Sequence, residues 1–534
     1  MSRRKDKTPL AIVRDRVAAA FEAEQRRCRD WLKGMLSLFP LYWSGLVGAE
    51  HERRGGVDSS EANRWLLAAV EFAEGRRVPL SAGESDLRAS AAIAVAQSKA
   101  LVTCLQSPSP DEVLQEVAAL AGRWGVRAPS ARGGEVWPAV RRVLCARWWL
   151  RALRRVVAHD CEAAAVRAGL VRRGLWCYVS NDQLRRRRQQ LMRQREAIQG
   201  AVLEEVESGE QCELDEVVKG SVANPAIKRG ELMTRVRGCD EYAKGKGWSC
   251  EFWTITCPSR YHAQVTTGPH SSVPNPKYEG KAPRDGQMYL REVWARARAA
   301  WDRRGLQVSG LRTAEPHHDA CPHWHLVAYG PADDLEQARE LLRAYALQDS
   351  PDEPGAQERR FVHLVSVDGS GAAYAAKYIA KNIDGANLGE GRDNETGRKL
   401  SGMAERVSAW AAAWRIRQFQ FWGMPGVTVW RVLRKVGEVC QDSAVVEAAR
   451  LAADAGDWCA YWSAAEGGLM LLKEEEGRLT EYGDEGSRRV LGVSDGVGAA
   501  LLAVRSWVIN WGAKRAKVAE AVTGGRLVSL DLCL

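Results

Sequence analysis

The sequence lacks several features that identify common classes of protein. None of its thirteen cysteines forms a CxxC pair, so neither a zinc ribbon nor a disulfide framework is predicted, and we expect reduced thiols. No apolar run approaches the roughly 20 residues needed to cross a bilayer, and the opening MSRRKDKTPL lacks the apolar core of a secretion signal. No GxxxxGK[ST] loop is present to bind ATP phosphates. We therefore expect a cytoplasmic protein with no membrane partner and no P-loop ATPase activity.

Positive charge is the first feature that the sequence has in excess. The 534 residues carry 77 Lys and Arg against 67 Asp and Glu, a formal net charge of +10. This balance favours a polyanionic partner, and nucleic acid is the leading candidate. The densest basic run, Arg185 to Arg188, lies in NDQLRRRRQQLMRQREAIQ. It predicts either a solvated helix face or a contact with phosphates.

Hydrophobic periodicity divides the chain into three predicted regions. Residues 1–220 show helical spacing and predict a helical N-terminal domain. Residues 221–435 alternate short β-type runs with helical segments, which predicts an α+β domain with a central sheet. Residues 436–534 return to helical composition and have no assigned role. Two loops, 265–287 and 384–402, are rich in Gly and polar residues, and the first is predicted to contain no regular structure.

Histidine is scarce, yet the stretch EPHHDACPHWHLVAYG places four of the nine histidines within nine residues. Side chains alternate along a strand, so His323 and His325 point to the same face and can share a cation. A polar turn precedes them, and in a hairpin Glu315 comes opposite the pair as a third ligand. His318 and Asp319 compete for that place. Two imidazoles with one carboxylate suit Mg²⁺ or Mn²⁺ acting as a Lewis acid, although two exposed histidines without a ligand remain the simpler alternative.

A second informative pattern is DGSGAAYAAKYIAKNIDG, which predicts a helix capped by Ser370. On such a helix Tyr374 and Tyr378 lie within about 40° of one another, and Lys377 and Lys381 flank them. Tyrosines at this spacing are usually a packing pair. Beside a metal ion or a lysine, however, a phenol becomes a better nucleophile toward phosphorus, and the lysines suit a DNA phosphate.

With these motifs in place, the chain resembles the HUH superfamily of single-strand DNA nickases, which is named for its His-hydrophobe-His strand. It is most similar to the replication gene A protein family of tailed bacteriophages. The segments that carry the resemblance occur in the family's order and are FWTITCPSRYHA, RTAEPHHDACPHWHLVAYG, AAYAAKYIAKNIDG and WRIRQFQFWGMPGVTVWRVLRK.

The resemblance implies that His323 and His325 ligate the metal and that Tyr374 and Tyr378 alternate as nucleophiles. The implied function is a site-specific endonuclease and strand transferase, which nicks a replication origin, forms a 5′-phosphotyrosyl intermediate, and starts and ends rolling-circle replication. Single-stranded origin DNA and a host replicative helicase are the implied partners, and the host cell cytoplasm is the implied location. The helical N-terminal domain, residues 1–220, is expected to contact the origin, the helicase or both. An HUH relaxase or transposase, or a non-catalytic origin-binding protein, are the alternatives.

Overall fold

The computed structural model describes the chain as helices combined with antiparallel sheets, which confirms the predicted α+β class. The described residues are 9–55, 60–104, 109–129, 135–268, 271–365, 370–385, 400–437, 440, 442–503, 505–512 and 529–530. They form two compact units, residues 1–170 with 481–484 and residues 171–480 with 485–534. The domain boundaries predicted at residues 220 and 435 stay predictions, because compactness alone does not show which segments function separately. Among the described helices, none has the length and apolar character of a membrane span.

The first unit is a set of helices, and the apolar face of one of them, residues 146–167, lies in its core. Trp149, Leu153 and Val157 recur at four-residue intervals on one helix and are almost completely buried, as expected for the apolar face of a core helix. Arg142 forms an ion pair with Asp484, which holds the segment 481–484 to this unit. The helices are α1 (Pro9–Leu36), α2 (Leu41–Gly55), α3 (Ser60–Glu74), α4 (Glu84–Cys104), α5 (Pro110–Arg123), α6 (Trp137–Val143) and α7 (Ala146–Arg167).

The second unit contains a five-stranded antiparallel sheet, and one face of this sheet carries the candidate site. Within the described residues the strand order is β8-β3-β7-β6-β9. Strand β3 (Ser249–Thr256), which lies between β8 and β7, has Phe252 and Thr254 on one face and Trp253 and Ile255 on the other, as the alternation predicts. The strands of this sheet are β3 (Ser249–Thr256), β6 (Ser309–Pro316), β7 (Pro322–Gly330), β8 (Phe361–Val365) and β9 (Phe419–Trp422).

Helices cover both faces of this sheet. On one face, Trp253 and Trp324 pack against Trp301 and Trp294 of a single helix through edge-to-face ring contacts. The other face receives two helices, one of which carries the paired tyrosines. The helices in this part of the chain are α10 (Pro225–Gly245), α11 (Pro283–Arg304), α12 (Ala332–Leu347), α13 (Ala356–Arg359), α14 (Gly371–Ile383), α15 (Leu400–Trp414) and α16 (Val427–Leu433).

The prediction that loop 265–287 lacks regular structure is wrong. A two-stranded hairpin, β4 (Gln264–Gly268) and β5 (Ser271–Pro274), occupies its first part. The prediction counted Pro and Gly as breakers but overlooked the β-branched runs VTT and SSV that flank the turn. Most of the second loop, 384–402, lies outside the described residues.

Short strands also occur in the regions that were expected to be helical. After α8 (Asn181–Gln199) the chain forms β1 (Val202–Glu205) and β2 (Gln211–Glu213) before α9 (Leu214–Lys219). The C-terminal region is helical only at its start, and strands follow from Met470 onward because its later segments are short β-type runs separated by Gly and Asp. Its elements are α17 (Ala444–Ala455), α18 (Trp458–Ala465), β10 (Met470–Lys473), β11 (Val490–Ser494), β12 (Ala499–Leu501), β13 (Trp507–Asn510) and β14 (Ser529–Leu530).

Candidate metal and tyrosine site

The β6–β7 hairpin brings the predicted metal ligands together. Its register pairs Glu315 with His323 and Thr313 with His325, so all four side chains lie on the same face of the sheet. The loop between the strands turns at Ala320, whose φ of 71° is in the left-handed region that favours glycine. The predicted opposition of Glu315 and His323 across a hairpin is confirmed.

Glu315, His323 and His325 fit a divalent cation. Each offers one ligand atom, and the three atoms lie within 4.8 Å of one another. The Nε2 atoms of the two imidazoles are 3.0 Å apart, and two ligands at cis positions of an octahedral ion are separated by about 3 Å. Glu315 Oε2 lies 4.0 Å from His325 Nε2. This donor set of nitrogen and oxygen suits Mg²⁺ or Mn²⁺ with open positions left for substrate.

The two alternative third ligands make other contacts. His318 Nε2 lies 2.9 Å from the Thr266 hydroxyl on β4. The buried Asp319 carboxylate pairs with His262 at 3.2 Å and accepts a hydrogen bond from the Cys321 amide at 3.1 Å. Burial of the carboxylate acts to raise the pKa of Asp319. The contacts with the neighbouring histidines outweigh burial and lower the pKa of Asp319 below its ordinary value. Neither residue joins the three-ligand cluster.

Neighbouring groups fix the ring orientation of His325 and the protonation state of His323. Thr254 on β3 places its hydroxyl 2.9 Å from His325 Nδ1, which fixes the ring and leaves Nε2 for the cluster. Burial, together with the imidazoles of His317 and His325, lowers the pKa of His323 well below its ordinary value. His323 is therefore a neutral imidazole near pH 7, the form that binds metal ions.

The Glu315 carboxylate is held in place by two consecutive residues of α14. Lys381 Nζ lies 3.1 Å from Glu315 Oε2, and the Asn382 amide donates a hydrogen bond to the other oxygen. Gln418 Nε2 in turn donates to Asn382 Oδ1 at 2.8 Å. Lys381 and Glu315 are 7% and 2% exposed, so this is a buried ion pair. Lys381 thus positions the carboxylate, whereas Lys377 is exposed on the outer side of the helix.

Removing the Lys381 charge is expected to destabilise the metal-free protein. In Lys381→Met the buried Glu315 carboxylate loses its cation, and we expect the free energy of unfolding in EDTA to fall by about 3 kcal/mol. Excess Mn²⁺ is expected to recover more than half of that loss, because the ion replaces the missing charge. Urea unfolding with and without Mn²⁺ measures both effects. Lys377→Met is the matched control, and an equal loss in the two variants would contradict the prediction.

The two tyrosines of α14 lie directly against this cluster. The Tyr378 ring stacks on His325 with centroids 4.2 Å apart, and the Tyr374 ring stacks on Phe252 at 4.0 Å. Tyr378 donates a hydrogen bond to the Tyr374 hydroxyl at 3.3 Å. The two hydroxyls are therefore neighbours, and the Tyr378 ring contacts one of the candidate metal ligands.

The ionisation of the tyrosines differs from the sequence-based expectation. A nearby lysine was expected to favour the phenolate, but Lys381 is paired with Glu315. In the metal-free protein, burial raises the pKa of both Tyr374 and Tyr378 above the ordinary value. Both are neutral phenols near pH 7, and a divalent cation in the cluster would act in the opposite direction.

The start of α14 is fixed against the sheet by α10. Ser370 caps the helix as predicted, accepting a hydrogen bond from the Ala373 amide. The Asp240 carboxylate accepts hydrogen bonds from the Gly371 and Ala372 amides at 2.8 and 2.9 Å. A carboxylate at a helix N-terminus also interacts favourably with the helix dipole. Asp240 therefore sets the position of the tyrosines one turn further along.

Gly371 is required because α14 approaches the sheet closely at this point. A Cβ atom here would lie 2.1 Å from the Tyr329 hydroxyl and 2.6 Å from Val327 Cγ1. We expect Gly371→Ala to lower the free energy of unfolding by about 2 kcal/mol and to shift the tyrosines. Thermal unfolding checks the first effect. In the control Gly402→Ala, no atom lies within 4 Å of the added Cβ, and we expect stability to rise by about 0.5–1 kcal/mol. A stable Gly371→Ala variant would contradict this account.

Sequence reasoning missed the residues that support the site. Thr254, Asn382 and Gln418 are ordinary polar residues, and no local pattern distinguishes them. Asp240 lies on a helix far from the motifs in sequence. The one available signal was the spacing of Lys381, seven positions after Tyr374, which places it on the same helix face.

A large part of this chain is similar to known proteins. Residues 110–386, about half of the chain, match the family described as bacteriophage replication gene A protein. The replication gene A protein of Escherichia phage 186 is 40% identical over 368 residues, which cover 66% of this chain and 52% of the relative. That of Escherichia phage P2 is 36% identical over 376 residues, covering 67% and 49%.

A third relative carries a more specific name. A probable replication endonuclease from a prophage-like region of Salmonella typhimurium is 35% identical over 375 residues, covering 66% of this chain and 46% of the relative. This chain spans about half the length of these relatives. No solved structure matches it. The family match and the three relatives lead to one conclusion: this chain belongs to the bacteriophage replication gene A protein family.

Proposed function

We propose that this chain is a metal-dependent nickase and strand transferase of the HUH type, which initiates rolling-circle replication of phage DNA. The observation that carries the proposal is a pair of tyrosines with hydroxyls 3.3 Å apart, one of which, Tyr378, stacks on His325 of the cluster that also holds Glu315 and His323. The name replication endonuclease, borne by the Salmonella relative, supports a nuclease. Single-stranded DNA at the replication origin is the proposed substrate.

Glu315, His323 and His325 would hold Mg²⁺ or Mn²⁺. When bound, the ion would polarise a non-bridging oxygen of the scissile phosphate and neutralise developing negative charge. Lys381 and Asn382 fix the Glu315 carboxylate, and Thr254 fixes the His325 ring. These contacts keep the three ligands in place before the ion arrives.

The tyrosines would perform the transfer itself. The phenol oxygen of one tyrosine attacks the phosphorus, the bond from phosphorus to the 3′ oxygen breaks, and the phenol proton goes to that oxygen. The products are a 5′-phosphotyrosyl bond and a free 3′-OH, which primes synthesis. After one round, the second tyrosine cuts the regenerated origin. The released 3′-OH then attacks the first phosphotyrosine and closes a single-stranded circle.

A nicking assay tests this proposal. The substrate is a supercoiled plasmid that carries the replication region of the phage or prophage encoding the chain. With Mg²⁺ we expect a nicked circle with protein attached to its 5′ end, stable in detergent and absent in EDTA. Binding without any strand cleavage would favour a non-catalytic origin-binding protein. A host replicative helicase is the proposed partner for unwinding, because the sequence has no GxxxxGK[ST] loop.

A further inference from the structure

The middle of helix α8 is unusual for a globular protein. Its first half is anchored by the buried Leu184 and by the ion pair of Arg188 with Glu405 of α15. Its last turn is anchored by Ile198, which packs against a small core beside β1. Between these anchors, residues 188–197 are all exposed. The helix therefore presents its whole circumference to solvent over about 15 Å.

Most residues of this exposed segment are basic or polar, and Leu191 and Met192 are its large apolar side chains. Arg193 and Arg195 are exposed, and within the described residues neither takes part in an ion pair with a carboxylate. Glu196 is the single acidic residue between positions 188 and 197. A helix that is exposed on all sides has few contacts of its own to stabilise it, so a partner that surrounds it is the natural complement. The positive charge makes that partner an anion.

The arrangement of side chains fits a groove in duplex DNA. Gln190 and Gln194 are four residues apart and share one face of the helix. Arg193 and Arg195 flank that face on its two sides, because residues two positions apart are separated by about 200°. The major groove of duplex DNA admits an α-helix between two rows of phosphates. Glutamine and arginine are also the side chains that most often contact base edges there.

We propose that the exposed segment of α8, residues 188–197, binds in the major groove of duplex DNA. Arg193 and Arg195 contact the phosphates on the two walls, and Gln190 and Gln194 face the bases. The inference rests on the proposed function in taking DNA as the partner. It adds a second DNA-binding element, which binds duplex DNA, to the proposed single-strand site at the tyrosines.

Fluorescence anisotropy with the full chain tests the proposal. The probes are a labelled mixed-sequence duplex of about three helical turns and an oligo(dT) strand of the same length. In Arg193→Ala/Arg195→Ala we expect duplex affinity to fall about tenfold, and the slope of log affinity against log salt to decrease by about 2, because two phosphate contacts are lost. Alanine favours helix, so α8 is expected to stay folded. In Arg193→Lys/Arg195→Lys the slope is expected to be retained.

A matched control separates a local effect from a change in net charge. Arg298→Ala/Arg303→Ala removes two exposed arginines from α11 and is expected to change duplex affinity less than about twofold. An equal effect in the two variants, or an equal loss of affinity for oligo(dT), would overturn the proposal. An unchanged duplex affinity would overturn it as well and would direct attention to an acidic protein as the partner of α8.

The assay is run in EDTA, where no strand is cut. Its result therefore does not depend on the nickase reaction. Failure of the wild-type protein to cleave with Mg²⁺ would reject the proposed function. Loss of the α8 effect would reject the duplex site alone.

Discussion

Replacing both tyrosines by phenylalanine, in Tyr374→Phe/Tyr378→Phe, is expected to reduce the covalent protein–DNA product by about 10³-fold or more, because no nucleophile remains. Each single variant is expected to keep a detectable product, since the remaining hydroxyl lies 3.3 Å from the one removed. Detergent-resistant adducts on end-labelled DNA measure the effect. The single variants are further expected to fail in closing circles, because that step needs both phenols.

The tyrosine substitutions preserve packing, which makes the result interpretable. Phenylalanine keeps both ring contacts, with His325 and with Phe252, and removes only the hydroxyl groups. We therefore expect the melting temperature to change little. Tyr345→Phe, on α12, is the matched control and should cleave normally. If the double variant still formed the adduct, the tyrosine pair would be a packing feature and another residue would be the nucleophile.

The second large effect is expected at the metal ligands. In His323→Ala and in Glu315→Gln we expect Mn²⁺ affinity, measured by calorimetry, to fall by about 100-fold, because each loses a direct ligand. Cleavage is expected to fall in parallel and to be absent from the wild-type protein in EDTA. After chelation, excess Mn²⁺ is expected to restore DNA cleavage by the wild-type protein but not by the His323→Ala variant.

A control variant distinguishes the third ligand from its sequence neighbours. His318→Asn changes another histidine of the same hairpin loop, and its side chain can still bond to Thr266. We expect its Mn²⁺ affinity to stay within about twofold of wild type. A loss as large as that of Glu315→Gln would show that His318 also contributes to metal binding and would contradict the three-ligand cluster.

Local patterns were sufficient for the parts of the site that lie within one hairpin or one helix. The alternation of PHWHLVAYG placed His323 and His325 on one face, and the short loop fixed the register that opposes Glu315. The spacing of Tyr374 and Tyr378, with Ser370 before them, located the helix and its start. Each of these inferences depends only on residues close together in the chain.

The missed features depend on contacts between distant segments. Lys381 was expected to face DNA phosphate, but docking of α14 on the sheet turns it toward Glu315. Asp240 caps α14 from another helix, 130 residues away in sequence. The strands of the C-terminal region are two to five residues long, too short for a reliable period-two signal. In such cases the tertiary structure decides what the local sequence leaves open.

The pairing of β1 with β13 has a consequence for synthesis of the protein. Val202 lies opposite Asn510, so this sheet joins segments about 300 residues apart. A bacterial ribosome needs roughly 15–60 s to make that much chain. During this interval β2 can already pair with one edge of β1, but the edge that will face β13 has no strand beside it, while the hairpin that carries the candidate metal ligands is completed. We therefore expect the nascent chain to form its catalytic hairpin early and to need protection at β1 until β13 emerges.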